Sequence, residues 1–348
     1  MSLSNGDIAE LLWLAGDEET AHRRRALRRA AGAARFWSEE ARHLADSGRS
    51  LTELHAVGPW LAATIHGWLD APPEIAEPDE TRRGFLTMAD ARRVLDAEPE
   101  WERTPHADLQ VHTTDSDGGL PLPEMAAFAR GLGRPFIAIT DHSKSLTIAN
   151  GMDEERLASQ IVRIGEMNAD LAASGDPFRV LRSIEMDVFP DGTCDMDPED
   201  LAPLDLVLGA FHSKLRLRED QTERYLAALR DPSVHVLAHP QARMYGRRAG
   251  LRADWSRVFA EAAERGKGVE LDATPARQDL SVQLARVAMA EGVRWFSIGS
   301  DAHSSFELQF LPFGLATAAL AGIPRERILN YRTVGEVVAW AAELGTRR

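Results

Sequence analysis

From residue 106 onward the chain alternates between short apolar runs and longer stretches of helical periodicity. In segments such as 154–173 and 255–266, apolar residues recur every three or four positions, which predicts amphipathic helices. The apolar runs between them predict seven strands, at residues 107–111, 135–140, 179–186, 204–211, 234–238, 268–272 and 295–299. Strands that alternate with helices indicate parallel βα units, and a region of roughly 240 residues suits one barrel. We therefore predict an α/β barrel in this part of the chain.

Residues 1–70 show helical periodicity only. Within residues 51–70, two short amphipathic stretches are joined across a Val-Gly-Pro turn. We expect Gly58 to take the positive φ of a tight turn and Pro59 to begin the second helix. This pattern is typical of a helix-hairpin-helix, and the alternative is an ordinary helical hairpin that only packs two helices together.

The composition changes between these regions. Residues 71–80 are proline-rich and acidic, which indicates a linker, and Thr87 is a candidate cap for a short helix that follows. We predict a helical helix-hairpin-helix domain at residues 1–70, a linker with a short helix at 71–105, and the barrel at 106–348.

Polar residues that can bind metal ions follow the predicted strands. They are His112, Asp117, Asp141, His142, Glu185, His212, His239, Asp301 and His303. Because the carboxyl ends of parallel barrel strands meet at one face, these side chains are expected to lie close together. Imidazoles combined with carboxylates suit Zn²⁺, Mn²⁺ or Fe²⁺. A single histidine is more often an ordinary polar residue, and we assign that role to His22, His43, His55, His66, His106 and His235.

Six motifs in this region carry a resemblance to a known family. ADLQVHTTDSDGG, AITDHS, IEMDVFPDG, GAFHSK, LAHPQAR and IGSDAHS resemble the successive motifs of the polymerase and histidinol phosphatase (PHP) domain. They are most similar to the form found at the C-terminus of bacterial family X DNA polymerases. The resemblance implies a distorted seven-stranded TIM-like (β/α) barrel with a trinuclear metal centre that hydrolyses phosphoesters. The ligands it implies are His112, Asp117, His142, Glu185, His212, His239, Asp301 and His303.

One position departs from the family pattern. The first motif usually reads His-x-His, whereas this chain has Gln110 two residues before His112. A glutamine carbonyl is a weaker ligand than imidazole for a borderline metal, so we expect the site that Gln110 serves to be poorly occupied. Some polymerase-attached relatives resemble this chain in having that glutamine, and Gln110 is therefore kept as a candidate ligand.

Residues 1–70 resemble the small helical domain that opens family X polymerases. Members with deoxyribose-phosphate lyase activity use a lysine in the second hairpin helix, and Thr64 has that place here. Because no lysine precedes Lys144, we expect no Schiff-base chemistry in this domain. Only residues 71–105 separate the hairpin from the barrel, which leaves no room for a polymerase core between them, so we do not expect a polymerase.

The net charge of −14 argues against nonspecific adhesion of the whole surface to nucleic acid or to anionic membranes. DNA binding by the arginine-rich helical domain stays open. No apolar run is long enough to span a membrane, and the single cysteine, Cys194, indicates a reducing compartment. We expect a soluble, cytoplasmic monomer.

We expect two or three divalent transition metal ions, namely Zn, Mn or Fe. The ligands of the ions that supply a hydroxide near neutral pH would be His112, Glu185, His212, His239 and Asp301, with Glu185 as the bridge. A further ion on Asp117, His142 and His303 would hold the phosphate. We count Glu185, Asp301 and Arg243 as catalytic residues.

A basic segment follows the fifth predicted strand. Arg243 is expected to bind a phosphate oxygen, and Arg247 and Arg248 would extend that contact. A solvated loop is the alternative for these three arginines.

Three functions remain in competition. The first is a phosphoesterase that acts on DNA ends, as a 3′→5′ exonuclease or a 3′-phosphoesterase. The second is a phosphatase of a small metabolite such as histidinol phosphate, and the third is a non-catalytic DNA-binding protein. The attached hairpin favours the first, and the nearly complete set of metal ligands argues against the third.

Overall fold

The structure of the chain, a computed structural model, describes residues 2–346. The chain divides into two compact units, residues 1–98 and 99–348. Within the described residues, no helix combines the length and the apolar character needed to cross a membrane.

The first unit is entirely helical. Its helices are α1 (Asn5–Ala15), α2 (Ala21–Ala34), α3 (Ala41–Asp46), α4 (Pro59–Asp70) and α5 (Met88–Ala97). They enclose an apolar core whose fully buried side chains include Ile8, Leu12, Leu27, Leu44 and Ile65. Burial of this apolar surface is the main force that holds the unit together.

The backbone of residues 51–70 differs in detail from the predicted helical hairpin. Its first stretch is a single 3₁₀ turn, Leu51–Glu53, and the positive φ belongs to Ala56 (64°). Gly58 has φ −88°, so the expectation that it would be left-handed is wrong. Gly58 instead is the extended residue that begins α4, where its carbonyl accepts a hydrogen bond from the Ala62 N–H at 2.9 Å. Pro59 occupies the first turn of α4, as predicted.

The segment after α4 contributes to the first unit. Arg82 donates to both carboxylate oxygens of Glu10 in α1, at 2.9 and 2.8 Å, and both side chains are largely buried. Thr87 caps α5 as predicted, because its hydroxyl accepts from the Asp90 N–H while Asp90 accepts from the Thr87 N–H. The boundary between the two units therefore falls after α5.

The second unit contains one sheet of seven parallel strands. They are β1 (Asp108–Val111), β2 (Phe136–Ile139), β3 (Arg179–Asp187), β4 (Leu206–Ala210), β5 (Val236–Leu237), β6 (Gly268–Asp272) and β7 (Trp295–Gly299). Each strand pairs with the next along the chain, in the order β1 to β7. All seven predicted strands are confirmed. They are apolar along most of their length because nearly every position is buried, as in other parallel sheets covered on both faces.

One helix of this unit precedes β1, and at least one helix follows each strand. They are α6 (Glu100–Arg103), α7 (Leu122–Gly131), α8 (Glu154–Ala173), α9 (Pro198–Leu201), α10 (Thr222–Arg230), α11 (Trp255–Arg265), α12 (Val282–Ala290), α13 (Leu311–Ala321) and α14 (Val334–Thr346). The predicted α/β barrel is therefore the observed architecture of this unit.

The sheet nearly closes on itself where β1 meets β7. Val111 forms a parallel bridge with Ala302, and the buried side chain of Asn330 joins the two strands. Its amide nitrogen donates to the carbonyls of Ala107 and Ile298 at 2.8 and 2.7 Å, and its amide oxygen accepts from the Ile298 N–H at 2.8 Å. One side chain thus satisfies three backbone groups at the closure of the barrel.

We predict that Asn330→Ala destabilises the barrel by about 2–4 kcal/mol, since it leaves buried backbone groups without partners at about 1–3 kcal/mol each. Urea unfolding of the full chain, followed by circular dichroism, measures this. The exposed Gln283→Ala should change stability by less than about 0.5 kcal/mol. Equal effects of the two substitutions would show that Asn330 does not hold the closure.

Candidate metal centre

The carboxyl ends of the strands deliver histidines and carboxylates to one face of the barrel. His112 directly follows β1, Glu185 lies within β3, and His212 and His239 follow β4 and β5. The loop that carries Asp117 turns back toward the end of β7, where the Gly119 N–H donates to the His303 carbonyl at 2.7 Å. The convergence expected from a parallel barrel is present.

Glu185 lies at the middle of this group and is buried. Its Oε1 is 2.7 Å from His239 Nε2 and 2.9 Å from His212 Nε2. Its Oε2 is 3.3 Å from His112 Nε2 and 3.5 Å from His142 Nδ1. Each carboxylate oxygen therefore faces two imidazoles, an arrangement suited to a carboxylate that bridges two ions.

Three groups of ligand atoms are compact enough to hold an ion, with all atoms of a group within 4.8 Å of one another. They are His112, Asp117, His142 and His303; His142, Glu185 and His212; and His112, Glu185 and Asp301. Ligands about 2.0–2.1 Å from a tetrahedral ion are about 3.4 Å apart. The separations His112–Asp301 (3.1 Å) and His303–Asp117 (3.2 Å) are close to that value.

Several atoms of these groups are buried without a hydrogen-bond partner. They are both ring nitrogens of His112, Nδ1 of His142, Nε2 of His212, Oδ1 of Asp301 and Oε1 of Gln110. Buried polar atoms are almost always satisfied in folded proteins. Unsatisfied imidazole nitrogens and carboxylate oxygens that face each other at 3–3.5 Å are the donor set that a divalent transition metal completes. The residues present therefore fit metal ions.

The electrostatics of the group favour cations. Burial by itself would raise the pKa of Glu185, but the surrounding imidazoles outweigh burial and hold that pKa well below its usual value. Burial lowers the pKa of His142 to about 3, so this imidazole is neutral and able to act as a ligand at neutral pH. Burial opposes protonation of His212 too, yet hydrogen bonds to Asp187 and Glu185 raise its pKa to about 9. An ion at Glu185 would therefore displace a proton from His212.

Other polar residues orient the candidate ligands. Asp187 Oδ1 is 3.2 Å from His212 Nδ1, and the carbonyl of Asp301 is 2.8 Å from His303 Nδ1. Such contacts select which ring nitrogen faces an ion. Asp141, although it follows β2, accepts hydrogen bonds from the Thr113 N–H at 2.8 Å and its hydroxyl at 2.6 Å, so it anchors the loop that carries Asp117.

Gln110 reaches the same group. Its side-chain nitrogen donates to Glu185 Oε2 at 2.9 Å, while its Oε1 is buried without a partner. The amide oxygen of Gln110 is thus free to approach an ion. A Cβ on Gly299 of β7 would stand 2.5 Å from the Gln110 Cβ, so the close approach of β1 and β7 requires glycine there.

Three residues of the site were missed by sequence reasoning. Glu270 and Asp272 of β6 are buried, and Arg277 Nη1 lies 3.9 Å from Asp272 Oδ2 and 3.3 Å from Asp301 Oδ2. Burial raises the pKa of Glu270 and of Asp272, and neighbouring carboxylates raise both further. The sequence does contain a sign of Glu270 and Asp272, because two acidic residues occur within the apolar strand segment GVELD. Carboxylates are rare at such buried positions.

Arg243 is buried, and burial lowers its pKa to about 10 although Asp279 opposes the shift. Arg247 is exposed, and the Arg248 Nε donates to the Ala242 carbonyl at 2.9 Å. The guanidinium of Arg277 lies 3.3 Å from a carboxylate oxygen of the candidate ligand Asp301. A phosphate contact by Arg243 stays a prediction.

The histidines outside the group belong to none of the three ligand groups. His106 Nδ1 is 2.9 Å from the Thr104 carbonyl, and His235 Nδ1 accepts from the Val207 N–H at 3.1 Å. The exposed ones are His22, His43, His55 and His66. Burial raises the pKa of Cys194, which makes a reactive thiolate unfavourable.

No family model matches the chain. DNA polymerase/3′-5′ exonuclease PolX of Bacillus subtilis is 36% identical over 234 residues, which are 67% of this chain and 40% of that protein. A probable phosphatase of Acetivibrio thermocellus is 28% identical over 211 residues, 58% of this chain and 80% of the relative. The crystal structure of histidinol phosphate phosphatase from Lactococcus lactis with zinc, L-histidinol and phosphate has 13% identity and a TM-score of 0.41, over 59% of this chain and 90% of that one.

The chain is therefore homologous to PolX and to probable phosphatases, in agreement with the resemblance carried by the barrel motifs. It spans 40% of the length of the PolX relative.

We predict that the full chain, reconstituted with Mn²⁺, holds two or three ions and that Glu185→Ala loses at least one of them. The reason is that Glu185 belongs to two of the ligand groups. Elemental analysis measures the metal content, and circular dichroism checks that the variant is folded. The exposed Glu264→Ala is the matched control and should keep the full content. A folded Glu185→Ala protein with unchanged metal would contradict the assignment.

Gln110→His should strengthen Zn²⁺ binding at the weakest site by about tenfold, or about 1.4 kcal/mol, because imidazole replaces a neutral amide oxygen. Competition titration against a chromophoric chelator measures the affinity. Gln110→Ala, which removes the amide without supplying a ligand, should not strengthen binding. Equal affinity in Gln110→His and the unaltered chain would remove Gln110 from the candidate ligands.

Proposed function

We propose that this chain is a metal-dependent phosphoesterase that acts on DNA ends, as a 3′→5′ exonuclease or 3′-phosphoesterase, and that it is not a polymerase. The observation that carries the proposal is the group of imidazoles and carboxylates around Glu185 in a chain 36% identical to PolX over 234 residues. The broader class rests on the phosphatase homologues together with the same group: the chain is a metal-dependent hydrolase of phosphoric esters.

Metal ions would be held by Gln110, His112, Asp117, His142, Glu185, His212, His239, Asp301 and His303. Bound divalent ions supply Lewis-acid polarisation of a phosphoester and a hydroxide nucleophile at neutral pH. Glu185 and Asp301 would take part in catalysis by holding the positive charge of these ions in a buried environment. Electrostatic interactions are stronger there than in water.

The exposure of the ligands indicates where the phosphoester enters. The side chains of His112 and Glu185 are 0% exposed, whereas those of His303 and Asp117 are 31% and 36% exposed. The phosphate therefore approaches from the side of Asp117 and His303. The guanidinium of Arg277, held by Asp301 and still partly exposed, is placed to donate to a phosphate oxygen.

DNA binding by the helical unit is a separate proposal, which one feature of the unit favours and another opposes. The first turn of α4 has no side-chain cap, so its N–H groups are available to a phosphate. In α2, however, Arg24 donates to the Gly16 carbonyl at 2.9 Å and Arg28 pairs with Asp17 at 2.6 Å. Two of the arginines that would attract DNA are thus engaged within the unit.

The test is a substrate panel with the Mn²⁺-loaded full chain: a single strand, a nicked duplex, a duplex with a 3′-phosphate, and histidinol phosphate. We expect hydrolysis at DNA 3′ ends with a kcat/KM at least about tenfold above that for histidinol phosphate, a difference of about 1.4 kcal/mol in transition-state stabilisation. The Glu185→Ala protein, prepared in the same way, controls for contaminating nucleases.

Hydrolysis of histidinol phosphate without action on any DNA end would replace this proposal by the metabolite phosphatase. DNA binding without hydrolysis of any phosphoester would favour the non-catalytic alternative.

A further inference from the structure

Four arginines lie on the loops that follow β4, β5 and β6, at the end of the barrel that carries the candidate metal centre. We call Arg216, Arg247, Arg248 and Arg277 the arginine rim. Burial lowers the pKa of Arg248, and the positive charges of Arg277, Arg216 and Arg247 lower it further. Like charges that gather on a protein surface repel one another unless an anion binds between them.

The outer members of the rim have no carboxylate partner. The chain has 54 Asp and Glu against 40 Lys and Arg, and several arginines elsewhere pair closely with carboxylates, such as Arg49 with Glu53 at 2.6 Å. Arg216 and Arg247 are exposed, and across residues 2–346 neither side chain forms an ion pair. In so acidic a chain, unpaired arginines at one place indicate a site for an anionic ligand.

The three loops of the rim are joined by backbone hydrogen bonds. The Gln221 N–H donates to the Arg252 carbonyl at 2.8 Å, which connects the loop after β4 to the loop after β5. The Tyr245 N–H donates to the Ala276 carbonyl at 2.8 Å, which connects the loop after β5 to the loop after β6. The guanidiniums are therefore carried by a preorganised surface, which lowers the entropic cost of binding.

The rim is continuous with the metal centre. Its inner member, Arg277, contacts Asp301 at 3.3 Å and has a side chain only 21% exposed. Arg216 and Arg247 lie at its exposed outer side, on the loops that begin with His212 and His239. Positive charge thus extends outward from the place where a phosphoester would react.

We propose that the arginine rim binds the sugar–phosphate backbone of a polynucleotide strand whose terminal phosphoester lies in the metal centre. This inference rests on the proposed function and specifies its substrate as a polymer. A small monoester has a single phosphate, which the metal centre and Arg277 accommodate. Arg216 and Arg247 have a ligand only when the substrate carries further phosphates, which arginine binds through paired N–H groups.

The experiment uses the Mn²⁺-loaded full chain and its Arg216→Gln/Arg247→Gln double variant. Binding of a single-stranded oligonucleotide with phosphorothioate linkages is followed by fluorescence anisotropy from low to high salt. We expect Kd to rise about tenfold or more, and the slope of log Kd against log salt to shrink by about 1.4, or about 0.7 for each lost single-strand contact. The ratio of kcat/KM for an oligonucleotide to that for bis-p-nitrophenyl phosphate should fall by a similar factor.

The matched control is Arg265→Gln/Arg294→Gln, which removes the same charge at the opposite end of the barrel, where α11 ends and β7 begins. In this control, we expect the changes in affinity and in salt slope to be at most about a third of those in the rim variant. The reason is that charges farther away than a Debye length of about 8–10 Å are screened. Elemental analysis should find the same metal content in all three proteins. Equal losses in rim and control variants, or no loss in the rim variant, would overturn the inference.

Failure of the proposed function gives a different result. Suppose that the unaltered chain hydrolyses no DNA end but that its oligonucleotide binding still depends on Arg216 and Arg247. The proposed function is then wrong, and the inference about the arginine rim is still supported. If the rim variant binds and cleaves oligonucleotides as the unaltered chain does, the inference about the arginine rim is wrong, whereas the proposed function is still supported.

Discussion

The carboxylate of Glu185 is buried at the centre of the barrel's carboxyl face, between the ring nitrogens of four histidines. An unpaired carboxylate in that position would be unfavourable by several kcal/mol, so positive charge must accompany it, either as protons on imidazoles or as metal ions. Because the histidines follow four different strands, only a nearly closed ring of parallel strands brings them to one point. Closure through Asn330, where β1 meets β7, is therefore also what assembles the site.

The excess of negative charge in the chain has a local counterpart in the barrel. Glu185, Glu270, Asp272 and Asp301 are all buried near one another, and Arg277 is the cation that contacts two of them. Such a group attracts divalent ions, and bound ions then reverse the charge that a substrate meets. An acidic protein can in this way bind an anionic phosphoester, with the arginine rim adding positive charge at the mouth of the site.

Gln110 brings both a hydrogen-bond donor and an acceptor to the candidate metal centre. Its side-chain nitrogen donates a hydrogen bond to Glu185 Oε2. The amide oxygen on the same group is buried and directed into the space left by Gly299, near Oε1 of Glu270. The amide of Gln110 thus satisfies one oxygen of Glu185 and leaves its own oxygen without a partner.

The seven strands and the residues that follow them are evident from the amino-acid order alone. A strand covered on both faces must be apolar at nearly every position, so runs such as 204–211 are visible without coordinates. Chain direction then placed His112, His212 and His239 at a common face. Two details are visible only in the folded chain: Ala56 rather than Gly58 has the positive φ of the hairpin turn, and Arg277 contacts Asp301. Hydrophobic periodicity reports the average burial of an element, whereas these details depend on backbone angles and on side chains that meet only after the barrel closes.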